Sequence, residues 1–212
     1  MICLKYLIKN FMQTLNLDLN KRYSYADYLT WFDDVRRELF DGFIKLMTPA
    51  PSITHQRLLL NILKFYINFL ENKKCEVFIS PFDVRFPKNG EKNDKKIYTV
   101  VQPDICVVCD ANKLDEKGCI GAPDLIIEIV SEKTKNSERN SKRDVKDKFQ
   151  LYEKFGVKEY WIVFPSSEIV NVFVLDNNGK YQLVQMYSED EQIPVNIFDG
   201  ELTIDLKKVF IY

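Results

Sequence analysis

The stretch "GAPDLIIEIVSEKT", residues 121–134, has the composition of a buried strand, yet it sets Asp124 and Glu128 on the face that also holds Ile126 and Val130. Upstream, "VQPDICVV" (101–108) places Asp104 at the head of another apolar run. A third oddity is Lys148. It falls three residues after Val145 and four before Tyr152, on the core-facing stripe Val145, Phe149, Tyr152 and Phe155 of a helix expected over 142–155. Two carboxylates brought together repel, and removing each from water costs several kcal/mol, roughly, even after relaxation. A divalent cation answers both problems, because Mg²⁺ prefers carboxylate and water oxygens. A lysine beside it can orient a water or offset charge on a phosphate oxygen. Acid, acid, lysine and metal is equipment for phosphodiester hydrolysis. The plainer alternative is that Asp104 caps a strand end, Glu128 points to solvent at an edge, and Lys148 snorkels or pairs with Asp144 at i,i+4.

The elements that must position these residues are readable from periodicity. Ser24 and Asp27 form a capping-box pattern that opens a short helix in "YADYLTWF". "RRELFDGFIKLM" (36–47) is two short strands about Asp41-Gly42, a strong hairpin signal. "SITHQRLLLNILKFYINFLENK" (52–73) carries Leu59, Ile62, Tyr66 and Phe69 at helical spacing, with His55 in its first turn. Strands are expected at 75–80, 82–86, 97–110, 124–130 and 158–165, with Pro103 at an edge, a start or a bulge of the 97–110 strand. "ANKLDEKGCIGAP" reads as a loop, 131–148 as irregular before it merges into the helix stopped by Gly156, and 168–175 with 181–187 as a β-ribbon turned by "DNNG". The order predicts a mixed α/β domain around a central sheet.

Composition narrows the classes. The chain has 212 residues, 46 % apolar and 13 % aromatic, enough for one sizeable core. Its 30 basic and 31 acidic residues leave a net charge of −1, so any nucleic-acid surface must be a local patch. Such a patch is available: residues 133–148 hold seven basic and three acidic side chains. These form either a solvated face or a phosphate-contacting lip, with the basic 88–96 loop opposite. No run approaches the roughly 18 apolar residues of a membrane span. The five cysteines, at positions 3, 75, 106, 109 and 119, are an odd number. Cys106 and Cys109 lie three steps apart on a strand and so point to opposite faces, which argues against a shared metal; reduced thiols in a cytoplasmic protein are expected.

Taken in order, "RRELFDGFIKLM", His55, "VQPDICVV", "APDLIIEIVS" and "KFQLYEKFGVKEYWIV" resemble the signature blocks of the Uma-two family of restriction-endonuclease-like proteins, within the PD-(D/E)XK phosphodiesterase superfamily. The resemblance spans about residues 22–187. It implies an α/β, restriction-endonuclease-like mixed central sheet flanked by helices, with an N-terminal hairpin and a C-terminal β-ribbon. Residues 1–22 are then an N-terminal arm or helix, and 23–212 a single nuclease-like domain. Asp104 matches the family's first metal-binding acid and Glu128 its second. The superfamily lysine two residues after the second acid is replaced here by Val130, and Lys148 matches the lysine that this family supplies from the following helix. Glu38 matches an N-terminal glutamate that completes the acidic wall, and Gln102 and His55 match recurrent polar positions. The segment "EKTKNSERNSKR" is longer than usual in the family, so Lys142 and Lys146 stand as alternatives to Lys148; Lys142, Arg143 and Lys146 are also candidate phosphate contacts. The function implied is a Mg²⁺- or Mn²⁺-dependent DNA endonuclease, and the pairing of related folds to cut two strands makes a homodimer an expectation. The alternative is a nuclease-like module that binds nucleic acid or protein without cleaving.

Overall fold

Asp41 and Gly42 take positive φ angles of 49° and 90°, the twist that a two-residue hairpin needs between right-handed strands. The computed structural model describes residues 15–47, 51–131 and 135–211, with backbone alone over 135–143. Elements are numbered along the chain. They begin with α1 (Tyr25–Tyr28), β1 (Arg37–Phe40), β2 (Phe43–Leu46), α2 (Ile53–Leu70), β3 (Glu76–Ile79) and β4 (Val84–Arg85). Next come β5 (Val100–Val101), β6 (Ile105–Val108), β7 (Leu114–Asp115), β8 (Gly118–Ile120), β9 (Leu125–Ile129) and α3 (Lys135–Phe155). The last are β10 (Glu159–Phe164), β11 (Ile169–Leu175), β12 (Tyr181–Ser188), β13 (Gln192–Pro194), β14 (Thr203–Asp205) and α4 (Leu206–Val209).

The chain divides into two compact units, Met1–Pro49 with Arg85–Val101, and Ala50–Val84 with Gln102–Tyr212. In the first, β1 pairs antiparallel with β2 on one side and with β5 on the other. Ser24 caps α1 in the predicted reciprocal arrangement with Asp27. Residues 15–22 form no helix, and the remainder of the expected N-terminal arm lies outside the described residues. In the second unit, one sheet runs in the order β12-β11-β10-β9-β6-β3. Only β9 and β10 are parallel within it, joined by α3 as crossover, while the other neighbours are antiparallel. On one sheet face Leu58, Leu59, Ile62 and Tyr66 of α2 pack against Ile105, Val107, Ile127, Trp161 and Val163. The β13–β14 ribbon and α4 extend that core through Ile193, Ile204 and Val209. On the other face α3 lays Phe149 and Tyr152 against Tyr160. Among the described residues no helix is long and apolar enough to cross a membrane.

Four expectations change. The strand expected over 97–110 is two, β5 and β6, because Pro103 has no N–H to give a ladder. The loop after Asp110 folds into a small β7–β8 hairpin. The helix expected from 142 begins at Lys135; its first two turns are wholly polar, so no apolar period marks its start. Cys75 and Cys109 are joined in a disulfide rather than reduced. Glu76 pairs with Val108 between β3 and β6, so one step outward in the same register sets Cys75 against Cys109. Cys106 and Cys119 are buried thiols outside the disulfide.

Candidate active site

Antiparallel pairing brings Asp104 to the edge of β9. Ile105 pairs with Ile127 and Cys106 with Ile126 between β6 and β9, so Asp104 follows one residue beyond the last pair, at the level of Glu128 and Ile129. Pro103 and Asp104 leave the ladder at that point. The backbone N–H of Ile129 is satisfied instead by Asp104 Oδ2, at 2.8 Å. The same oxygen lies 3.1 Å from His55 Nε2. Neither acid is sealed from solvent, their side chains being 18 % and 12 % exposed.

Glu128 is answered from α3. Lys148 Nζ donates to Glu128 Oε1 at 2.9 Å, and the Tyr152 hydroxyl donates to the same oxygen at 2.6 Å. One helical turn separates the two donors, so the stripe that buries Phe149 and Tyr152 also delivers the ammonium. Beneath them Tyr160 is fully buried. Burial drives its phenol well above the usual range, and the negative charge of Glu128 pushes the same way. The Cys106 thiol is raised by burial first, then by Cys119 and Glu128.

The other predicted residues are placed as follows. His55 stands in the first turn of α2, as expected, where the Ser52 cap accepts from its backbone N–H. Its ring meets Asp104. Gln102 donates to Asp83 Oδ1 at 2.9 Å, on the wall of a cavity of about 360 Å³ shared with Phe82 and Gly118. Glu38 belongs to the first unit, buried in β1 opposite Lys45. Lys146 is exposed on α3, and the side chains of Lys142 and Arg143 lie outside the described residues. Asp124 is structural, accepting from Cys109 N and Lys158 Nζ. The core-facing stripe of the sequence accounts for Tyr152 as packing alone. Its spacing of four from Lys148 and its need, once buried, for a hydroxyl partner were the available signals.

Among the described residues no group of three or more His, Cys, Asp or Glu side chains is arranged to hold a metal. The acids on offer are Asp104, bonded to the N–H of Ile129, and Glu128, one residue before it. That suits Mg²⁺, which is commonly held by one or two carboxylates with water and substrate phosphate completing an octahedron, and does not suit a closed zinc site.

A mixed sheet between two helices, with an acid pair at the end of its central strands, is the restriction-endonuclease-like fold. The chain belongs to the Uma2 family: the model of that family, described as "Putative restriction endonuclease", matches residues 25–207. A crystal structure of "a putative nuclease belonging to DUF820" from Anabaena variabilis is similar in fold, with TM-score 0.64 and 20 % identity, over 89 % of this chain and 97 % of that one. An uncharacterized protein of Synechocystis sp. is 24 % identical over 167 residues, 77 % of this chain and 80 % of the relative.

Proposed function

We propose that this protein is a divalent-metal-dependent nuclease that hydrolyses phosphodiester bonds of DNA. The observation that supports the reading is the ion pair of Lys148 with Glu128, at 2.9 Å, with Asp104 bonded to the N–H of Ile129, the residue next to Glu128. Asp104 and Glu128 would hold Mg²⁺ or Mn²⁺. When bound, such an ion supplies a water of lowered pKa and offsets negative charge on the phosphate. Lys148, fixed by Glu128, is poised to orient the attacking water or to donate to a phosphate oxygen as charge develops. Lys142, Arg143 and Lys146 precede it on the same helix and supply positive charge for the nucleic-acid backbone, a sequence-independent attraction that does not need a basic protein overall.

The test is nicking of supercoiled plasmid with and without Mg²⁺. Asp104→Asn keeps the side chain's shape and removes its charge. It is expected to cut the metal-dependent rate by about 100-fold or more, on the scale of losing one preorganised charge at a reaction centre, while the protein still unfolds cooperatively. Full activity in that variant would overturn the assignment, and cleavage of RNA alone would change the substrate.

A further inference from the structure

We infer that His55 is a positioning residue for Asp104, fixing which carboxylate oxygen is turned inward and so which one meets a bound divalent cation; this rests on the metal-dependent reading above. The ring has no other evident task. It is 6 % exposed, the helix cap is made by Ser52, and Nδ1 is buried without a hydrogen-bond partner. Its one polar contact among the described residues is Nε2 with Asp104 Oδ2, at 3.1 Å. Against a carboxylate in its ionised form, which only accepts, Nε2 is the donor of that contact. A buried aromatic ring with an unanswered nitrogen costs stability that a leucine in its place would not cost. What the imidazole adds over leucine is a single directed donor.

That donor works with a second. Asp104 Oδ2 also takes the N–H of Ile129 at 2.8 Å. One donor comes from the first turn of α2 and the other from the end of β9, so the same oxygen is held from a helix and from the sheet. Two fixed donors on Oδ2 set the carboxylate plane and leave Oδ1 as the oxygen presented to a cation. Residues that orient a metal-binding side chain in this way commonly change metal affinity by about 10–100-fold when removed.

The experiment is calorimetric titration of Mn²⁺ into the full chain, in wild type and in His55→Gln, His55→Asn and His55→Leu, with melting temperatures recorded without metal. The glutamine amide nitrogen reaches about as far as Nε2, whereas the asparagine amide stops near the place of Nδ1. His55→Gln is therefore expected to bind Mn²⁺ close to wild type. His55→Asn and His55→Leu are expected to bind about tenfold more weakly or worse, with His55→Leu melting at or above the wild-type temperature. A merely structural histidine would move the melting temperatures and leave Mn²⁺ affinity of the folded variants alike. Equal affinity in His55→Asn and His55→Gln overturns the inference, and that comparison stands even if the leucine variant fails to fold. Absence of Mn²⁺ binding by wild type would instead overturn the metal-dependent reading.

Discussion

A carboxylate at the end of two buried strands persists only where its charge is answered, and the answers here differ for the two acids. Asp104 is met by a backbone N–H and an imidazole, Glu128 by an ammonium and a phenol on one oxygen. The phenol was hidden in the sequence because a tyrosine on an apolar stripe looks the same whether its hydroxyl is used or not. Tyr152→Phe separates the two roles. It removes one hydrogen bond to a charged group without changing the packing against Tyr160, so unfolding free energy should fall by about 1.5–3 kcal/mol. Under the proposed function the metal-dependent rate should fall about tenfold, the scale for residues that orient a metal-binding carboxylate. Urea unfolding with a parallel nicking assay checks both; an unchanged urea midpoint would mean that the bond is replaced by water at no cost.

At the scale of elements, α3 decides whether the lysine arrives. Its C-terminal end was legible: Gly156 has φ +82°, and its N–H closes on the carbonyl of Tyr152, which is how helices end in the left-handed region. Its N-terminal end was not legible, for want of apolar residues before Val145. Nothing lies within 4 Å of where a Cβ on Gly156 would stand. Gly156→Ala therefore meets backbone strain alone, about 1–2 kcal/mol. The expected result is a lower urea midpoint with an unchanged denaturant slope. A variant as stable as the parent would show that the helix can end in another way.

Across the whole molecule, near-neutral charge makes the acid limb of stability depend on particular pairs. Asp33 and Arg37 are both almost fully buried and ion-paired in the first unit. The hydrogen bonds from the Arg37 guanidinium hold the Asp33 carboxyl far below its ordinary value; burial opposes this, and the N–H groups of Leu15 and Val35 add to it. A carboxyl depressed on folding stabilises fully above its unfolded value of about 3.9, and that contribution is lost as pH falls toward the folded value. Asp33→Asn should therefore be markedly less stable than wild type at pH 7, with the gap narrowing as pH falls below about 4. Urea unfolding at several pH values checks this; a gap that stays constant would remove Asp33 from the acid limb.

Local pattern determined much of this protein. The Asp41-Gly42 hairpin, the Ser24 cap, the α2 stripe, the aromatic strand β10 and the β11–β12 ribbon were all readable, because each is set by residues within a few positions of one another. The identities of Asp104, Glu128 and Lys148 were readable too, as charges in places where charge is costly. Tertiary structure decided what they touch. Whether Asp104 reaches the N–H of Ile129 depends on the antiparallel register of β6 and β9, and whether His55 serves Asp104 depends on how α2 lies on the sheet. The pairing of Cys75 with Cys109 depends on the register of β3 and β6. Each is a contact between residues 20 or more apart in the chain. Sequence periodicity fixes the face a side chain occupies, but only the packed sheet fixes its neighbour.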